Sequence, residues 1–265
     1  MHDHKIQQIV VIRAGLTGVM TALALSHCGF GSPSAPAVTL IGPVNQKGAK
    51  AKTTTRDHRT TTLHAAGKAM LSALGVWPLI AKNATPVHRI KVANGQPRRD
   101  RLKQRQGSEF LLDWHSNEIP MAHVVNNQDL LDALYKKVAE RPIIQITGHA
   151  VSKFDPGNDF ARLQFERRPD LNCRLVVACD GANSRLRDQT SIRTFREPHR
   201  QTAIITNLVS ERDHENTAFQ RFLPGGPIAL MPCGTRRLSL VWSLPKSDAS
   251  RIVTLDEDEF ASQVL

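Results

Sequence analysis

Cysteine is scarce in this sequence, and its placement predicts neither a disulfide framework nor a metal site. The 265 residues contain four cysteines, far apart and with no C-x-x-C pair: Cys28, Cys173, Cys179 and Cys233. Isolated cysteines of this kind are typical of reduced thiols in a cytosolic protein. We expect most of them to be buried and none of them to bind a metal.

Long apolar runs are absent as well. No run approaches the roughly 20 residues that a membrane-spanning helix needs. The opening MHDHKIQQ has no signal-peptide pattern. These absences predict a globular, cytoplasmic protein whose only contact with a membrane would be peripheral.

Aromatic and acidic residues are few. Phe, Trp and Tyr make up 5% of the chain, and 35 Lys and Arg face 24 Asp and Glu, a net charge of +11. Such a charge suits nucleic acid, anionic lipid or an anionic cofactor. The dense basic patch at 98–105 is not interleaved with aromatic residues, so a surface for stacking nucleic-acid bases is not predicted.

Motifs of several enzyme classes are missing. The chain contains no G-x-S-x-G nucleophile elbow and no Walker phosphate loop. No spacing typical of a metal site or a catalytic dyad relates the five histidines His64, His88, His115, His123 and His149. The sequence therefore names no catalytic acid or base.

The strongest pattern present is a strand, a tight turn and a helix at 8–30. Apolar residues at 9–12 are followed by Gly15 and Gly18, and then by an Ala- and Leu-rich stretch with helical spacing. Such a unit places free backbone N–H groups and the positive end of a helix dipole where a pyrophosphate can bind. A second strand at 37–41 completes a right-handed βαβ unit.

Two positions depart from the dinucleotide-binding pattern G-x-G-x-x-G. Arg13 occupies the first glycine position. Gly42 ends the second strand, where an acidic residue commonly binds a ribose. We expect the Arg13 side chain to crowd the ligand or to be bent away from it; neutralisation of phosphate charge by Arg13 is the less favoured alternative.

The rest of the chain combines helical and β patterns. We predict a polar loop at 43–58, a helix from 59 to 74, a basic linker at 94–108 and an amphipathic helix at 127–139. An acidic helix start at 256–259 is followed so soon by the last residue that the chain is expected to be part of a longer protein.

Strands are predicted in two groups. Those at 88–93 and 109–114 interrupt a helical region and indicate an excursion into a second sheet. A buried strand at 174–181 runs into Asp180-Gly181. Four later runs predict an antiparallel sheet: 202–207, 218–223, 228–231 and 238–242.

Several of these stretches together resemble one family, the flavin monooxygenases of the para-hydroxybenzoate hydroxylase type. Its general features are IRAGLTG at 12–18, Asp57-His58-Arg59, and ACDGANSRLR at 178–187. Four further stretches are similar to the ubiquinone-biosynthesis hydroxylases within that family: 74–92, 124–134, 217–233 and 238–245. The segments occur in the expected order over essentially the whole chain, so the resemblance is specific.

The resemblance implies an α/β fold in two parts. Residues 1–190 would form a Rossmann-like FAD-binding domain with a parallel sheet, interrupted by the strand excursion at about 86–114. Residues 191–265 would form part of an antiparallel-sheet substrate domain. The family's second flavin motif, Gly-Asp-Ala followed by His, is missing. The chain is therefore shortened as well as divergent at the nucleotide motif.

The resemblance also assigns cofactor contacts to eight residues: Gly15, Leu16, Thr17, Gly18, Arg59, Gln128, Asp180 and Gly181. Residues 15–18 would face the FAD pyrophosphate, and Arg59 would pair with the phosphates. Asp180 and Gly181 would lie near the ribityl chain and the pyrophosphate, with Asp180 accepting hydrogen bonds from the cofactor, and Gln128 would approach the flavin.

Each of these residues also has a simpler interpretation. The glycines of 15–18 would serve only a tight turn, Arg59 would start a surface helix, and Asp180-Gly181 would be a common turn dipeptide. The ordered recurrence of the motifs favours the cofactor interpretation for the glycine pair and for Asp180.

By resemblance, the protein would be an FAD-dependent aromatic-ring monooxygenase of ubiquinone biosynthesis that uses NAD(P)H and O₂. The cofactor would supply the chemistry, while the protein would orient the ring and exclude water. The substrate would be a hydrophobic polyprenylated phenol, which implies contact with the inner membrane and with a ubiquinone-biosynthesis complex, but not with nucleic acid. The alternative, favoured by Arg13, Gly42 and the missing motif, is a non-catalytic scaffold subunit with weak or no FAD binding.

Overall fold

The computed structural model describes residues 7–29, 38–42, 57, 59–95 and 110–264. Fifteen β-strands, seven α-helices and one 3-10 turn follow one another along these residues: β1 Gln7–Ile12, α1 Leu16–His27, β2 Val38–Gly42, β3 Thr60–His64, α2 Ala65–Ala73, α3 Trp77–Ile80, the 3-10 turn Ala81–Asn83, β4 Thr85–Val87, β5 Arg89–Asn94, β6 Phe110–His115, β7 Ala122–Asn126, α4 Asn127–Val138, β8 Ile143–Thr147, β9 Val151–Asp155, β10 Ala161–Phe165, β11 Leu171–Ala178, α5 Arg185–Asp188, β12 Gln201–Val209, β13 Thr217–Leu223, β14 Gly226–Pro232, β15 Arg237–Pro245, α6 Lys246–Ile252 and α7 Glu257–Val264. The loop predicted at 43–58 lies outside the described residues except for Asp57, and the linker predicted at 94–108 lies outside them from residue 96 onward.

The described residues form two compact units. The first contains 7–29, 38–42, 70–80 and 128–195; the second contains the rest. A six-stranded sheet with the order β8-β2-β1-β11-β10-β9 lies in the first unit. Its first four strands are parallel, and β10 and β9 are antiparallel additions. This is the parallel sheet of the predicted α/β fold.

Both faces of the central strand β1 are buried. Ile9, Val10, Val11 and Ile12 are all buried, which is typical of a parallel strand covered on two sides. The helix α1 contacts β1 and β2 and buries Val19, Ala22 and Leu23. Val10 and Ile12 belong to another cluster, which residues of β2, β10, β11 and α5 complete.

Two glycines allow close approach at the end of β1. A Cβ added at Gly18 would overlap the carbonyl oxygen of Arg13 and would lie 3.4 Å from Cβ of Cys179. A Cβ added at Gly42 would overlap the side chain of Ala14 and would lie 2.8 Å from its backbone nitrogen. Packing therefore requires glycine at position 42, and an acidic side chain fits there only if the turn moves.

The second unit contains a six-stranded sheet with the order β12-β15-β14-β13-β5-β6 and a three-stranded sheet with the order β3-β7-β4. The four late strands pair antiparallel, as predicted. The strands β5 and β6 join this sheet through a parallel pair between β13 and β5. Residues of β14, β15 and α6 form the core on one face of the sheet.

The helix predicted from 59 to 74 is wrong in its first third. Thr60–His64 is the strand β3, which pairs antiparallel with β7, and α2 begins only at Ala65. The run of three threonines at 60–62 accounts for the difference, since β-branched side chains favour strands. Arg59 therefore precedes a strand, and its interpretation as a helix start is also wrong.

The expectation that most cysteines are buried is wrong. All four are free, but only Cys173 is buried, whereas Cys28 is exposed and the other two are intermediate. Cys28 is the C-cap residue that follows α1.

Replacing Gly18 with Ala tests the close packing of α1 on the end of β1. We expect the free energy of unfolding to fall by about 1–3 kcal/mol, the usual cost of overpacking, because the obstructing atom is backbone and cannot rotate away. Urea unfolding followed by circular dichroism measures the change. Gly15→Ala is the matched control, since a Cβ there meets nothing within 4 Å, and equal unfolding midpoints for the two variants would contradict the analysis.

Candidate functional site

The glycine turn and the Asp-Gly turn lie side by side at the carboxyl edge of the parallel sheet. Strands β1 and β11 are neighbours, with Ile12 paired to Ala178. The Cys179 N–H donates to the Ile12 carbonyl at 3.0 Å. The segments that follow the two strands therefore start at the same level, in the position where ligands commonly bind to open parallel sheets.

The N-terminus of α1 supplies backbone N–H groups at this edge. Gly15 is the N-cap residue and makes no side-chain cap hydrogen bond, and the first turn contains no acidic residue. The space beside Gly15 is open, because an added Cβ meets nothing within 4 Å. Leu16 and Thr17 begin the helix. Uncapped N–H groups at a helix start favour an anionic ligand such as a phosphate.

Asp180 is an ionised acceptor with one unused oxygen. The Leu186 N–H donates to its Oδ2 at 3.4 Å, whereas Oδ1 is buried and accepts no hydrogen bond from the described residues. Burial raises the pKa of the Asp180 carboxyl, but the Ser184 hydroxyl and nearby backbone N–H groups outweigh it, so the pKa lies below its ordinary value. Gly181 follows at φ +86, with open space where a Cβ would be.

A cavity of about 410 Å³ adjoins this turn. Asp180, Gly181 and Arg187 contribute polar groups to its wall, and Phe154 and Val176 are among its apolar lining residues. The volume is in the range of small-ligand sites. The cavity therefore offers room for part of a ligand next to the Asp180 carboxylate.

Arg13 crosses the edge between the two turns. Its backbone is in the left-handed region, at φ +77, which is why the dinucleotide pattern has glycine there. Its guanidinium donates to the Asp180 carbonyl oxygen at 3.0 Å, and its N–H donates to the Ile41 carbonyl at 2.7 Å. The side chain thus runs along the sheet edge from β1 to the Asp-Gly turn.

Sequence reasoning missed Tyr135, the single tyrosine of the chain. Its hydroxyl donates to the Ala14 carbonyl at 2.8 Å, so that α4 supports the glycine turn. Burial raises the pKa of Tyr135. No pattern in the sequence pointed to this contact, because a lone tyrosine on an amphipathic helix is typical of ordinary packing. In the same helix Gln128 donates to Asp132 at 3.1 Å, and its predicted approach to the flavin stays a prediction.

Arg59 belongs to the second unit and is paired within its own motif. Its Nε and one terminal nitrogen donate to the two carboxylate oxygens of Asp57, at 2.9 Å and 2.8 Å. The hydrogen bonds that Arg59 donates to the Asp57 carboxylate raise the pKa of Arg59. The acidic residue of the Asp-x-Arg motif therefore already neutralises the arginine, and the predicted pairing of Arg59 with phosphates stays a prediction.

The chain is similar to known proteins over nearly its whole length. Residues 7–263 match the model of the FAD binding domain. The mouse protein named ubiquinone biosynthesis monooxygenase COQ6, mitochondrial, is 26% identical, over 98% of this chain and 54% of its own length. Ubiquinone hydroxylase UbiL of Rhodospirillum rubrum is 25% identical, over 98% of this chain and 57% of its own. The chain spans about half the length of the curated relatives it matches.

The fold is similar to that of a solved monooxygenase. The p-nitrophenol 4-monooxygenase PnpA of Pseudomonas putida superposes with a TM-score of 0.70, covering 98% of this chain and 61% of that one, at 14% identity. An identity this low shows the fold alone. The resemblance to flavin monooxygenases and their ubiquinone-biosynthesis branch is confirmed. Because the family match extends over nearly every residue, the chain belongs to the FAD-binding domain family.

Proposed function

We propose that this chain forms the cofactor-binding part, and some of the substrate-binding part, of an FAD-dependent aromatic-ring monooxygenase of ubiquinone biosynthesis. The observation that carries the proposal is the convergence of the uncapped α1 N-terminus and the Asp180-Gly181 turn at the ends of adjacent parallel strands. The names of the curated relatives support the assignment to ubiquinone biosynthesis.

The residues at this edge fit two parts of FAD. Backbone N–H groups at 15–18 would bind the pyrophosphate, and the Asp180 carboxylate would accept hydrogen bonds from hydroxyl groups of the cofactor. The open space beside Gly15 and Gly181 allows a ligand to approach the backbone. Position 42 is the exception, because glycine offers no acceptor to the ribose.

Bound FAD would supply electron transfer from NAD(P)H and the activation of O₂. The protein's own contribution is to hold and orient. The ionised Asp180 fixes the hydroxyl-bearing part of the cofactor, the start of α1 fixes the anionic part, and Tyr135 holds the turn between them by its bond to Ala14. Oriented binding of this kind lowers the entropic part of the barrier.

An apolar row on one face of the six-stranded sheet suits a polyprenylated phenol. Six cross-strand neighbours form the row, one from each strand: Leu112, Val92, Gln220, Ala229, Val241 and Ile205. Five of the six are apolar, and Leu112, Val241 and Ile205 are 43%, 36% and 44% exposed. Exposed apolar surface of this extent indicates a binding site, and we assign it to the substrate's hydrocarbon tail.

A substrate with such a tail resides in the bilayer, so the proposal includes peripheral contact with the inner membrane and with a ubiquinone-biosynthesis complex. The net charge of +11 favours an anionic lipid surface. In the part of the chain that the structure describes, no helix is long and apolar enough to cross a membrane.

A second candidate function is that of a non-catalytic scaffold relative. Two observations favour it: the Arg13 guanidinium occupies the Asp180 carbonyl, and Gly42 is locked against Ala14. Both features leave the fold intact while removing contacts to a dinucleotide.

Titration of the purified chain with FAD tests the proposed function. We expect saturable binding with a visible flavin spectrum, weakened about 10- to 100-fold by Asp180→Ala, the effect of losing one hydrogen bond to a charged group. Asp188→Ala is the matched control, since Asp188 is a carboxylate of the same segment with a side chain 60% exposed. A colourless wild-type protein that takes up no FAD would remove the first candidate in favour of the second.

Two substitutions of Arg13 distinguish the effect of its side chain on FAD binding from the effect of its left-handed backbone on stability. Arg13→Gly and Arg13→Ala both remove the guanidinium that lies across the edge between the two turns, and we expect each to raise FAD affinity about tenfold, a free-energy change of about 1.4 kcal/mol. Only glycine also relieves the left-handed backbone, so Arg13→Gly should in addition raise the unfolding free energy by about 1 kcal/mol over Arg13→Ala. A fall in affinity for both variants would instead mean that Arg13 neutralises phosphate charge.

A charge placed in the apolar row tests the substrate assignment. We expect Val241→Asp to weaken binding of a polyprenylated phenol about tenfold or more, because the carboxylate would have to be desolvated against the tail. Val253→Asp is the control: Val253 is 66% exposed and lies outside the row. Equal affinities for the two variants in a fluorescence binding assay would contradict the assignment.

A further inference from the structure

His214 is a buried histidine whose two ring nitrogens both contact the backbone. Only 8% of the residue is exposed. Nδ1 lies 3.1 Å from the Asn216 backbone nitrogen, and Nε2 lies 2.6 Å from the Gly234 carbonyl oxygen. Because a backbone N–H can only donate and a carbonyl oxygen can only accept, Nδ1 is the acceptor and Nε2 carries the proton. The contacts therefore fit one form of the side chain, the neutral ring with its hydrogen on Nε2.

The ring joins two turns of the second unit. His214 belongs to the turn at 210–216, between β12 and β13, and Gly234 belongs to the turn at 233–236, between β14 and β15. The Gly234 N–H donates to Oγ1 of Thr85 in β4, at 2.7 Å. A series of hydrogen bonds through one imidazole thus connects the six-stranded sheet with the three-stranded sheet.

The turn at 210–216 uses side-chain acceptors to keep its shape. Glu215 and Asn216 are both in the left-handed region, at φ 49 and φ 52, a conformation that is unfavourable for residues with a Cβ. The Glu215 N–H donates to Oδ1 of Asp213 at 2.6 Å, and the Asn216 N–H donates to His214. Loss of the acceptor at Nδ1 would free the Asn216 N–H and favour relaxation of the turn.

Asn216 also begins the parallel pairing of β13 with β5. Its carbonyl oxygen accepts from the His88 N–H at 2.9 Å, and Thr217 pairs with Arg89 in the strands that follow. The Thr217 N–H donates to the His214 carbonyl at 2.8 Å. A change in the backbone at Asn216 therefore alters the start of this strand pair.

A proton on Nδ1 of His214 would place a second donor opposite the Asn216 N–H. Histidine is the side chain whose charge ordinarily changes between about pH 5 and 8. One carboxylate lies close, because Oδ1 of Asp213 is 3.9 Å from Nδ1, and the Asp213 side chain is 63% exposed. At that distance a hydrogen-bonded ion pair forms only if the ring or the carboxylate moves.

Other titratable groups on the neighbouring elements are bound elsewhere, uncharged or exposed. On the facing turn, the Arg236 guanidinium donates to two backbone carbonyls of the turn at 210–216. After β4, Nδ1 of His88 lies 2.9 Å from the Ser116 carbonyl oxygen. Burial raises the pKa of the Cys233 thiol, which keeps it uncharged. Four further charged residues of the two turns and the start of β15 are exposed: Glu211, Arg212, Glu215 and Arg237.

We propose that His214 is a pH-dependent latch, formed by its hydrogen bonds to Asn216 and Gly234. The neutral ring holds the two turns together and keeps β13 in place on β5. A ring that has taken up one proton from solvent releases the Asn216 N–H, turns toward Asp213 and loosens the start of the β13–β5 pair. The latch is therefore closed at neutral pH and opens in mildly acidic solution. The inference does not depend on FAD binding or on the proposed reaction.

Nitrogen-15 NMR of the histidine rings in the full chain tests the closed state. At about pH 7.5, above the range in which histidine ordinarily becomes charged, we expect His214 to be neutral with its proton on Nε2. A neutral ring with its proton on Nδ1, or a charged ring at this pH, would overturn the proposal, because neither can accept from the Asn216 N–H.

Hydrogen exchange of single amides tests the opening. Between about pH 7.5 and 5.5, protection of the Asn216 and His88 amides, corrected for intrinsic exchange, should fall about tenfold or more. The amide of Leu240, which is fully buried in the same sheet, should keep its protection. His214→Gln cannot be charged and should remove the pH dependence, whereas His199→Gln, at an exposed position outside the turn, should leave it unchanged. Constant protection in the wild type, an equal fall at Leu240, or a pH dependence that persists in His214→Gln would each contradict the latch.

A change at Asp213 gives a second test that leaves the histidine in place. Asp213→Asn keeps a side-chain oxygen for the Glu215 N–H but removes the charge beside Nδ1. We expect the pH midpoint of the exchange transition to fall by roughly 0.2–0.7 of a pH unit, because the charged ring loses an exposed ion pair. Asp258→Asn, at an exposed position in α7, is the matched control and should not move the midpoint. An unchanged or higher midpoint in Asp213→Asn would count against the proposal.

Discussion

The parallel pairing of β1 with β11 is the contact on which the first unit and its site depend. It joins Ile12 to Ala178, residues far apart in sequence, so the packing of the sheet must offset the entropy lost in closing the intervening chain. The pairing brings the start of α1 and the Asp-Gly turn to one edge of the sheet. Glycine is required at position 18 of the same edge, because a Cβ there would overlap the carbonyl oxygen of Arg13 in the turn that leaves β1.

Arg13 shows how this fold tolerates a residue that its ligand site does not favour. A side chain at φ +77 costs on the order of 1 kcal/mol. The hydrogen bonds from Arg13 to Ile41 and Asp180 offset that cost, so the turn keeps its shape. The guanidinium that stabilises the edge also lies across it. Arg13 can therefore stabilise the fold while weakening the binding of a cofactor. Both candidate functions are therefore compatible with one stable architecture.

Most elements of the fold could be predicted from local sequence patterns, and the features that were not predicted depend on long-range contacts. The unit β1-α1-β2, the helix α4 and the strand β11 follow from apolar runs and helical spacing. The strand β3 was missed because the helical spacing of apolar residues from 59 to 74 was given more weight than the strand preference of its threonines, and its pairing with β7 is a long-range contact. At the site, the glycines and Asp180 were recognisable by motif, whereas the Tyr135–Ala14 bond and the packing of Gly42 on Ala14 depend on tertiary neighbours that no local pattern encodes.

The two ends of the candidate site differ in charge. Asp180 stays ionised because hydrogen bonds hold the pKa of its carboxyl below the ordinary value, so phosphates are repelled from that end and hydroxyl groups are favoured. The start of α1 has the opposite polarity, with free N–H groups and no acidic side chain in its first turn. Under the proposed function, a dinucleotide at this edge would therefore be oriented by charge, with its phosphates toward α1 and its polyol toward β11. The positive guanidinium of Arg13 reaches the Asp180 carbonyl, so it reduces the difference in charge between the two ends of the site. Its expected effect on cofactor binding is therefore electrostatic as well as steric.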